Sequence, residues 1–247
     1  MHFEDRVVLI TGAAGGLGRE LALGFARAGA DVVINYHRSE CAAHETASAV
    51  GALGRRALAL RADVSVPEQV EGMVAEAIAR FGRVDVLVNN SAITRDAPVW
   101  KLSSADWNAV LDAGLTSVFL CTKTVVPQMR ARGYGRIVNV SSIVPRMGVF
   151  GTAAYAAAKA GISGFSRTVA REVVRKGITI NTILAGYLDT GMCLALPPEM
   201  RAQIVTQIPI GRFGTPAEIV SAALFLASEQ ASYITGQELC VSGGMLM

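Results

Sequence analysis

The stretch that runs from an apolar segment into a glycine-rich loop near the amino terminus constrains the fold more than any other part of the chain. Residues 6–11 (RVVLIT) form a continuous β-branched and apolar run, which predicts a strand buried on both faces. The loop at 12–18 (GAAGGLG) follows, and residues 19–28 have a helical pattern. A strand, a glycine loop and a helix in this order predict a phosphate-binding unit.

Three of the four glycines of this loop have a place in the predicted phosphate site. Gly12 permits the tight turn after the strand, and Gly16 and Gly18 allow close approach of backbone to pyrophosphate and of helix to strand. Leu17 lies between them and is a predicted cofactor contact. The free N–H groups at the helix amino terminus favour an anion. The alternative is a turn with a structural role alone.

Strand and helix patterns alternate along the rest of the chain. Strands are predicted at 31–36, 56–61, 83–88, 136–141, 179–184 and 238–242, and helices at 39–53, 67–81, 103–132 and 152–176. This alternation requires crossover connections, and it predicts a parallel sheet covered on both faces. No linker-like stretch or repeat divides the chain. We therefore expect a single α/β domain over 1–247, with a doubly wound sheet of seven parallel strands.

Composition excludes several classes of protein. Hydrophobic residues make up 51% of the 247 and charged residues 17%, and the net charge is only +3, which argues against a nucleic-acid partner. The four cysteines are scattered without Cys-x-x-Cys or Cys/His spacing, so we expect reduced thiols and no metal site. No signal peptide and no membrane-spanning apolar run is apparent. These features predict a cytoplasmic protein that does not bind membranes.

The end of the second predicted strand indicates which dinucleotide is preferred. An acidic residue there would bind the ribose 2′-hydroxyl of NAD. The sequence instead reads Asn35-Tyr36-His37-Arg38. Arg38 can pair with a 2′-phosphate, which predicts NADP(H), although a solvated loop arginine is the alternative. Asp63 and Val64, after the third strand, are expected within reach of the adenine.

Tyr155 and Lys159 lie four residues apart in a predicted helix and therefore on the same face of it. An ammonium group near a phenol favours the phenolate, so we expect Lys159 to lower the pKa of Tyr155. A tyrosine tuned in this way can exchange a proton near neutral pH. Ser142 ends a strand upstream, at the sheet edge where parallel sheets carry their sites. A Tyr-x-x-x-Lys pair alone is weakly specific, and ordinary helix surface is its usual explanation.

These motifs together resemble the short-chain dehydrogenase/reductase family over essentially the whole chain. The matching residues are Thr11-Gly12-x-x-x-Gly16-x-Gly18, Asn89-Asn90, Ser142, Tyr155-x-x-x-Lys159 and Ser242-Gly243-Gly244. Within the family the chain looks most like the 3-oxoacyl-thioester reductases, through stretches at 90–96, 106–108, 155–161, 208–214 and 241–245. The resemblance implies a Rossmann-like domain, a homotetramer and a substrate carried by acyl carrier protein or coenzyme A.

The resemblance also implies roles for individual residues. Tyr155 would protonate the ketone oxygen as hydride arrives from NADPH, Lys159 would hold the nicotinamide ribose, and Ser142 would stabilise the developing alkoxide. Thr190 would contact the nicotinamide carboxamide. Asn90, with its neighbour Asn89, would approach the cofactor.

Three departures from the family pattern put details in question. Ala92 stands where the family has glycine, and Ala185-Gly186 replaces Pro-Gly, which leaves the cofactor loop at Gly186 less restrained. Gly114 stands where an asparagine helps to hold a water that links Lys159 to solvent. Glycine within a helix costs roughly 0.8–1.0 kcal/mol relative to alanine, without an obvious return in packing. Either the proton relay survives in weaker form, or the protein is a slow enzyme or a binding module.

A lid over the substrate is expected at about 187–210. Met192, Leu194, Leu196 and Met200 make it apolar, which suits an acyl chain, although packing of the lid on the core would explain them equally well. The leading function is NADPH-dependent reduction of a ketone to a secondary alcohol, with a 3-oxoacyl thioester as substrate. A sugar, steroid or xenobiotic alcohol dehydrogenase and a catalytically weak cofactor-binding protein are the alternatives.

Overall fold

The protein is built on one sheet of seven parallel strands. The computed structural model describes residues 1–247, apart from the side chains of Met192 and Ala195. The strands lie in the order β3-β2-β1-β4-β5-β6-β7. Their bounds are β1 Val7–Ile10, β2 Asp31–Tyr36, β3 Ala57–Arg61, β4 Val86–Asn89, β5 Gly135–Ser142, β6 Ile178–Ala185 and β7 Glu238–Val241. The predicted doubly wound α/β sheet of a single domain is confirmed.

Helices connect the strands and cover both faces of the sheet. They are α1 Gly16–Arg27, α2 Glu40–Ala52, α3 Pro67–Phe81, α4 Ser104–Leu111, α5 Ser117–Arg132, α6 Val144–Met147, α7 Ala153–Val173, α8 Pro198–Gln207 and α9 Pro216–Ala227. On one face the core includes Leu21 of α1 and Ile219 of α9. On the other it includes Val70 of α3 and Val125 of α5. The central strands β1 and β4 are almost wholly apolar because they are buried on both faces, whereas the edge strands β3 and β7 are only partly buried.

The strand order reverses between β1 and β4, and this reversal positions the site. From β1 the chain builds the sheet outward through β2 and β3, and it then returns to place β4 on the other side of β1. The connections on the two sides of β1 diverge, which opens a crevice beyond the carboxyl ends of β1 and β4. The glycine loop and Asn90 both lie at this crevice.

The predicted helices form with small differences at their ends. The helix predicted over 103–132 is α4 and α5, joined by a π-helical turn at Asp112–Thr116. Ser103 caps it by accepting a hydrogen bond from the Asp106 N–H at 3.0 Å. The helix predicted over 152–176 consists of α7 followed by a short 3₁₀ turn, Val174–Lys176, which stops at Gly177 with a φ of 68°. The sequence analysis did not place α6 and α9.

The helical stretch Ser104–Arg132 is long and apolar enough to cross a membrane by length and composition alone. In this fold, however, Leu120, Val125 and Met129 pack in the core beside α3. The apolar character of this stretch therefore reflects its place as a core helix of an α/β domain.

Candidate active site

The loop between β1 and α1 has the backbone that a bound pyrophosphate requires. Gly12 and Gly16 adopt positive φ angles of 63° and 53°, which strain residues with side chains. A Cβ added at Gly18 would collide with the Gly12 carbonyl oxygen. No side chain caps the amino terminus of α1, so its first N–H groups remain available to an anion. The loop fits the phosphates of a dinucleotide.

Two asparagines hold this loop in place. The Gly12 N–H donates to Asn35 Oδ1 at 3.2 Å, and Asn35 Nδ2 donates to the Ala62 carbonyl at 3.0 Å. Asn90 Nδ2 donates to the carbonyls of Thr11 and Gly12 at 3.0 and 3.2 Å. The sequence analysis treated Asn35 only as the absence of an acid. The structure adds that its buried amide ties the glycine loop to the end of β3.

A cavity of about 520 Å³ lies between the glycine loop and the ends of β2 and β3, and we call it the loop cavity. Its lining includes Gly12, His37, Arg38, Asp63 and Arg95. Arg38 is exposed at its edge. His37 Nε2 lies 3.7 Å from Asp63 Oδ2. The cavity therefore combines a carboxylate with basic side chains that could meet a phosphate.

Asp63 lines the loop cavity, whereas its neighbour Val64 is not part of the lining. Burial tends to raise the pKa of Asp63, but hydrogen bonds from Ser65 and the charges of His37 and Arg38 outweigh it, so the pKa is lowered. Asp63 Oδ1 accepts hydrogen bonds from the Ser65 N–H at 3.0 Å and from its hydroxyl at 2.6 Å. The Val64 side chain is buried in the core, so only its backbone can face a ligand.

A second cavity, of about 210 Å³, lies at the carboxyl ends of β4, β5 and β6, and we call it the central cavity. It brings together seven residues that the sequence analysis singled out from five separate segments. They are Leu17, Asn90, Ser142, Tyr155, Lys159, Gly186 and Thr190.

Lys159 is held rigidly at the base of the central cavity. It is only 3% exposed, and its Nζ donates to the Val140 carbonyl at 2.7 Å. The same Nζ lies 5.8 Å from the centre of the Tyr155 ring. The Ser141 hydroxyl donates to the Lys159 carbonyl at 2.8 Å and fixes α7 against β5. The phenol and the ammonium group are therefore set side by side, one helical turn apart.

The pKa values of these two groups correct one prediction. Burial raises the pKa of Tyr155, although hydrogen bonding with Ser142 opposes this effect. Burial also lowers the pKa of Lys159 to about 8. The prediction that Lys159 lowers the pKa of Tyr155 below its ordinary value is wrong for the protein alone, because the penalty for a buried phenolate dominates. Tyr155 therefore keeps its proton at neutral pH.

Gly114 lies in the π-helical turn and packs against α7. A Cβ at this position would stand 3.2 Å from the Ala158 Cβ, which is tighter than most such contacts. Ala158 directly precedes Lys159 in the chain. The sequence analysis found no return in packing for this helical glycine. The structure supplies one, since Gly114 lets the π turn approach the segment that carries Lys159.

Val241 at the end of β7, together with Ser242 and Gly243 after it (the tail), contacts the loop that follows β6 and the segment at Ile210. The Gly186 N–H donates to the Val241 carbonyl at 2.9 Å, and a Cβ at Gly186 would stand 2.7 Å from Ser242 Cα. The Ile210 N–H donates to the Gly243 carbonyl at 3.1 Å. Glycine at 186 is therefore required by close packing. The missing proline restraint at Ala185 is offset by these contacts with the tail.

A third cavity, of about 410 Å³, opens beside the central cavity, and we call it the lid cavity. The two cavities share Ser142, Tyr155, Gly186 and Cys193. Most of its remaining lining is apolar: Ile143, Val144, Val149, Phe150, Leu196, Met200 and Ile204. An apolar group placed there would lie next to the Ser142 and Tyr155 hydroxyls.

The segment predicted as a lid forms one wall of this cavity. Leu196 and Met200 line the cavity, whereas Leu194 is 61% exposed. The Met192 side chain lies outside the described residues. Arg201 of α8 fastens the segment: it donates to the Asp189 carboxylate and to the Cys193 carbonyl, both at 2.7 Å. The guanidinium group also lies 4.5 Å above the centre of the Phe213 ring.

The structure adds residues that the sequence analysis missed. Cys193 borders both the central and lid cavities, and Asp96 lines the lid cavity, where burial raises its pKa. Phe150 forms part of the lid-cavity wall. All three lie in loops or a short 3₁₀ turn, where periodicity gives no signal. Among the described side chains, no group of three or more His, Cys, Asp or Glu residues could hold a metal ion.

Comparison with known proteins agrees with this arrangement. Residues 12–246 match a family model described as enoyl-(acyl carrier protein) reductase. The chain is 43% identical over 247 residues to the 3-oxoacyl-[acyl-carrier-protein] reductase FabG of Escherichia coli (strain K12), covering 100% of both chains. It is 40% identical over 243 residues to the Staphylococcus epidermidis protein of the same name, covering 98% of this chain and 100% of the relative.

These relatives match the chain over nearly its full length. The chain also has the parallel sheet, the glycine loop and the Ser142, Tyr155 and Lys159 side chains on which the resemblance to the family rests. The chain is therefore an oxidoreductase that belongs to the short-chain dehydrogenase/reductase family.

Proposed function

We propose that this protein reduces a ketone to a secondary alcohol with NADPH, and that its substrate is a 3-oxoacyl thioester of acyl carrier protein or coenzyme A. The observation that carries the proposal is the meeting of Ser142, Tyr155 and Lys159 in the central cavity, between the glycine loop and an apolar cavity. The names of the full-length relatives support the choice of substrate.

The residues for the cofactor divide between the loop cavity and the central cavity. Gly12, Gly16 and Gly18 would hold the pyrophosphate, and Asp63 and the Val64 backbone would face the adenine. Arg38 would pair with the 2′-phosphate. Leu17, Asn90, Lys159, Gly186 and Thr190 would surround the nicotinamide half. Held by these residues, the dinucleotide would supply the hydride for the carbonyl carbon of the substrate.

Three side chains of the protein stabilise the charge on the carbonyl oxygen and supply the one proton that the reduction needs. The Ser142 hydroxyl donates a hydrogen bond to the carbonyl oxygen and stabilises its developing negative charge. Tyr155 gives its proton to that oxygen, and its raised pKa keeps the phenol protonated beforehand. Lys159, mostly protonated at neutral pH with a pKa of about 8, stabilises the phenolate and returns a proton to it.

Gly114 favours a second candidate. Without the family's asparagine, the path that resupplies Lys159 with protons is less well defined, and the protein could then bind a dinucleotide yet turn over slowly. A dehydrogenase of a sugar, steroid or xenobiotic alcohol would use the same three side chains in the reverse direction. We favour an active enzyme over a weak binding protein because Ser142, Tyr155 and Lys159 are all present, and a reductase over an alcohol dehydrogenase because the full-length relatives are named as reductases.

We further propose that the segment at about 187–210 acts as a lid over the substrate and that the protein is cytoplasmic.

We also propose that the protein is a homotetramer. Phe119 of α5 is partly exposed and forms an edge-to-face pair with Phe165 of α7, at 6.4 Å between ring centres. Such an aromatic surface on the outer helices suits a contact between copies. Sedimentation of the purified protein as a monomer at micromolar concentration would contradict this assembly.

The function is tested by following NADPH oxidation with acetoacetyl-CoA. We expect turnover, and we expect Tyr155→Phe to lower kcat/KM by about 10²–10⁴-fold with unchanged NADPH affinity, because only proton transfer is lost. Tyr233→Phe, at a fully exposed tyrosine, is the matched control. NADPH oxidation with crotonyl-CoA tests whether the protein also carries out the enoyl reduction named in the description of the family model. Full activity in Tyr155→Phe, or NADPH binding without turnover of any carbonyl compound, would overturn the proposal.

A further inference from the structure

The outer end of the lid cavity carries an aromatic pair that the reaction itself does not use. Phe150 lines the cavity and is 77% exposed, and Trp100 is 73% exposed. Their rings meet edge to face, with 6.3 Å between centres. Large aromatic side chains that remain this exposed at the mouth of an apolar cavity are typical of binding surfaces.

The backbone holds the two rings in this arrangement. The Ala97 N–H donates to the Gly151 carbonyl at 2.8 Å, which joins the loop before α4 to the loop before α7. The N–H of Lys101 donates to the Pro98 carbonyl at 2.8 Å and closes the turn that presents Trp100. Thr152 Oγ1 donates to the Val149 carbonyl at 2.8 Å beside Phe150. These hydrogen bonds therefore fix the backbone on which both aromatic side chains are carried.

The lid cavity is lined both by the reacting groups and by Phe150, whose ring contacts Trp100 just outside the cavity lining. Ser142 and Tyr155 lie where it joins the central cavity, and the wall that includes Val149 and Phe150 is apolar. Asp96 also lines the cavity, and its carboxylate would repel an anionic tail. The walls therefore suit an uncharged, apolar chain attached to the carbonyl group being reduced.

We infer that Trp100 and Phe150 form an outer subsite for the acyl chain of the substrate, and that they make the protein selective for medium and long 3-oxoacyl chains over acetoacetyl groups. This inference rests on the proposed reductase function. A short chain would end inside the lid cavity. A longer chain would extend over the two rings, bury their exposed faces and gain binding energy with each added methylene group.

The test is a series of 3-oxoacyl-CoA substrates: acetoacetyl, 3-oxohexanoyl, 3-oxooctanoyl, 3-oxodecanoyl and 3-oxododecanoyl. For the native protein we expect kcat/KM to rise by up to about fourfold per methylene group over part of the series. Trp100→Ala, outside the cavity lining, should keep acetoacetyl-CoA activity within about twofold, and the double variant Trp100→Ala/Phe150→Ala should lose about tenfold or more on the longest chains relative to acetoacetyl-CoA.

Two further variants separate aromatic contact from general damage. Phe150→Leu keeps an apolar side chain and should retain part of the chain-length preference. Tyr233→Ala removes an exposed aromatic ring on another element and should leave the whole series unchanged. Thermal unfolding of each variant is measured alongside, and we expect little change because both rings are largely exposed.

The outcomes distinguish this inference from the proposed function. Turnover of acetoacetyl-CoA with the same chain-length profile in native and double-variant proteins would overturn the aromatic subsite alone. An equal loss at every chain length would also overturn it, because the rings would then contact the part common to all the substrates. No turnover of any thioester would overturn both.

Discussion

Arg38 stands at the edge of the loop cavity, where its charge is accessible to a phosphate. We expect Arg38→Ala to lower kcat/KM with NADPH by about tenfold or more and to leave NADH nearly unchanged, because only NADPH carries the 2′-phosphate. Steady-state kinetics with both dinucleotides measure this, and Arg27→Ala, at the last residue of α1, is a control of equal charge. Equal losses with both cofactors would show that Arg38 does not select the phosphate.

Gly114 is the residue on which the rate of proton supply is expected to depend. We expect Gly114→Asn to raise kcat severalfold by giving the path to Lys159 an additional polar group. Gly114→Ala is the control, since it places the same Cβ against Ala158 without the amide. If the two variants turn over alike, the relay through this position is wrong. Solvent isotope effects on kcat in each variant would separate proton supply from other steps.

At residue scale, sequence reasoning could expect side chains to lie near one another where a motif combines spacing with a strand end, and the roles of those side chains stay predictions. Ser142, Tyr155 and Lys159 follow from that logic, and the central cavity does bring them together. The sign of the Tyr155 pKa shift did not follow, because helical spacing measures proximity and carries no information about burial. Only the packed structure reveals that desolvation outweighs the neighbouring charge.

At the scale of elements, one side chain makes three contacts that tie α8 to the segments on either side of it. Arg201 contacts Asp189, the Cys193 carbonyl and the Phe213 ring at once. We expect Arg201→Ala to raise the KM for acetoacetyl-CoA about tenfold with a smaller effect on kcat, because a loosened lid binds substrate poorly before it affects the chemical step. Stopped-flow binding and steady-state kinetics measure this.

Arg201→Lys is the matched variant, because it keeps the charge but loses the planar group that stacks on Phe213 and bonds two oxygens at once. An intermediate KM is expected. A KM that stays at the native value in both variants would mean that Arg201 does not govern the lid.

Element boundaries were predictable where local chemistry marks them. Pro67 opens α3 and Gly177 ends the turn after α7, and both residues are legible in the sequence. The π-helical turn Asp112–Thr116 was not predictable, because it changes hydrogen bonding within a continuous helical pattern. The four-residue α6 was too short to give a periodic signal.

At the scale of the whole molecule, burying Lys159 affects folding stability. Its pKa is about 8 in the folded protein and near 10.5 when unfolded. Below pH 8 both states bind the proton and the full destabilisation is present. As pH rises from 8 towards 10 the folded state releases the proton first, so this group's destabilisation is progressively relieved.

Lys159→Met should therefore stabilise the protein at pH 7 by on the order of 2–3 kcal/mol and reduce the gain in stability between pH 8 and 10 relative to the native chain. Urea unfolding of both proteins across this range measures the difference. Parallel curves of unfolding free energy against pH for the two proteins would mean that burial does not lower the pKa of Lys159. Lys123→Met, at an exposed lysine on α5, is the control.

The hydrogen bonds from Gly186 to Val241 and from Ile210 to Gly243 have a consequence for biosynthesis. Val241 and Gly243 brace two loops that are made earlier in synthesis, so those loops lack this support until β7 has emerged from the ribosome. Catalytic competence should therefore begin only once β7 has paired with β6.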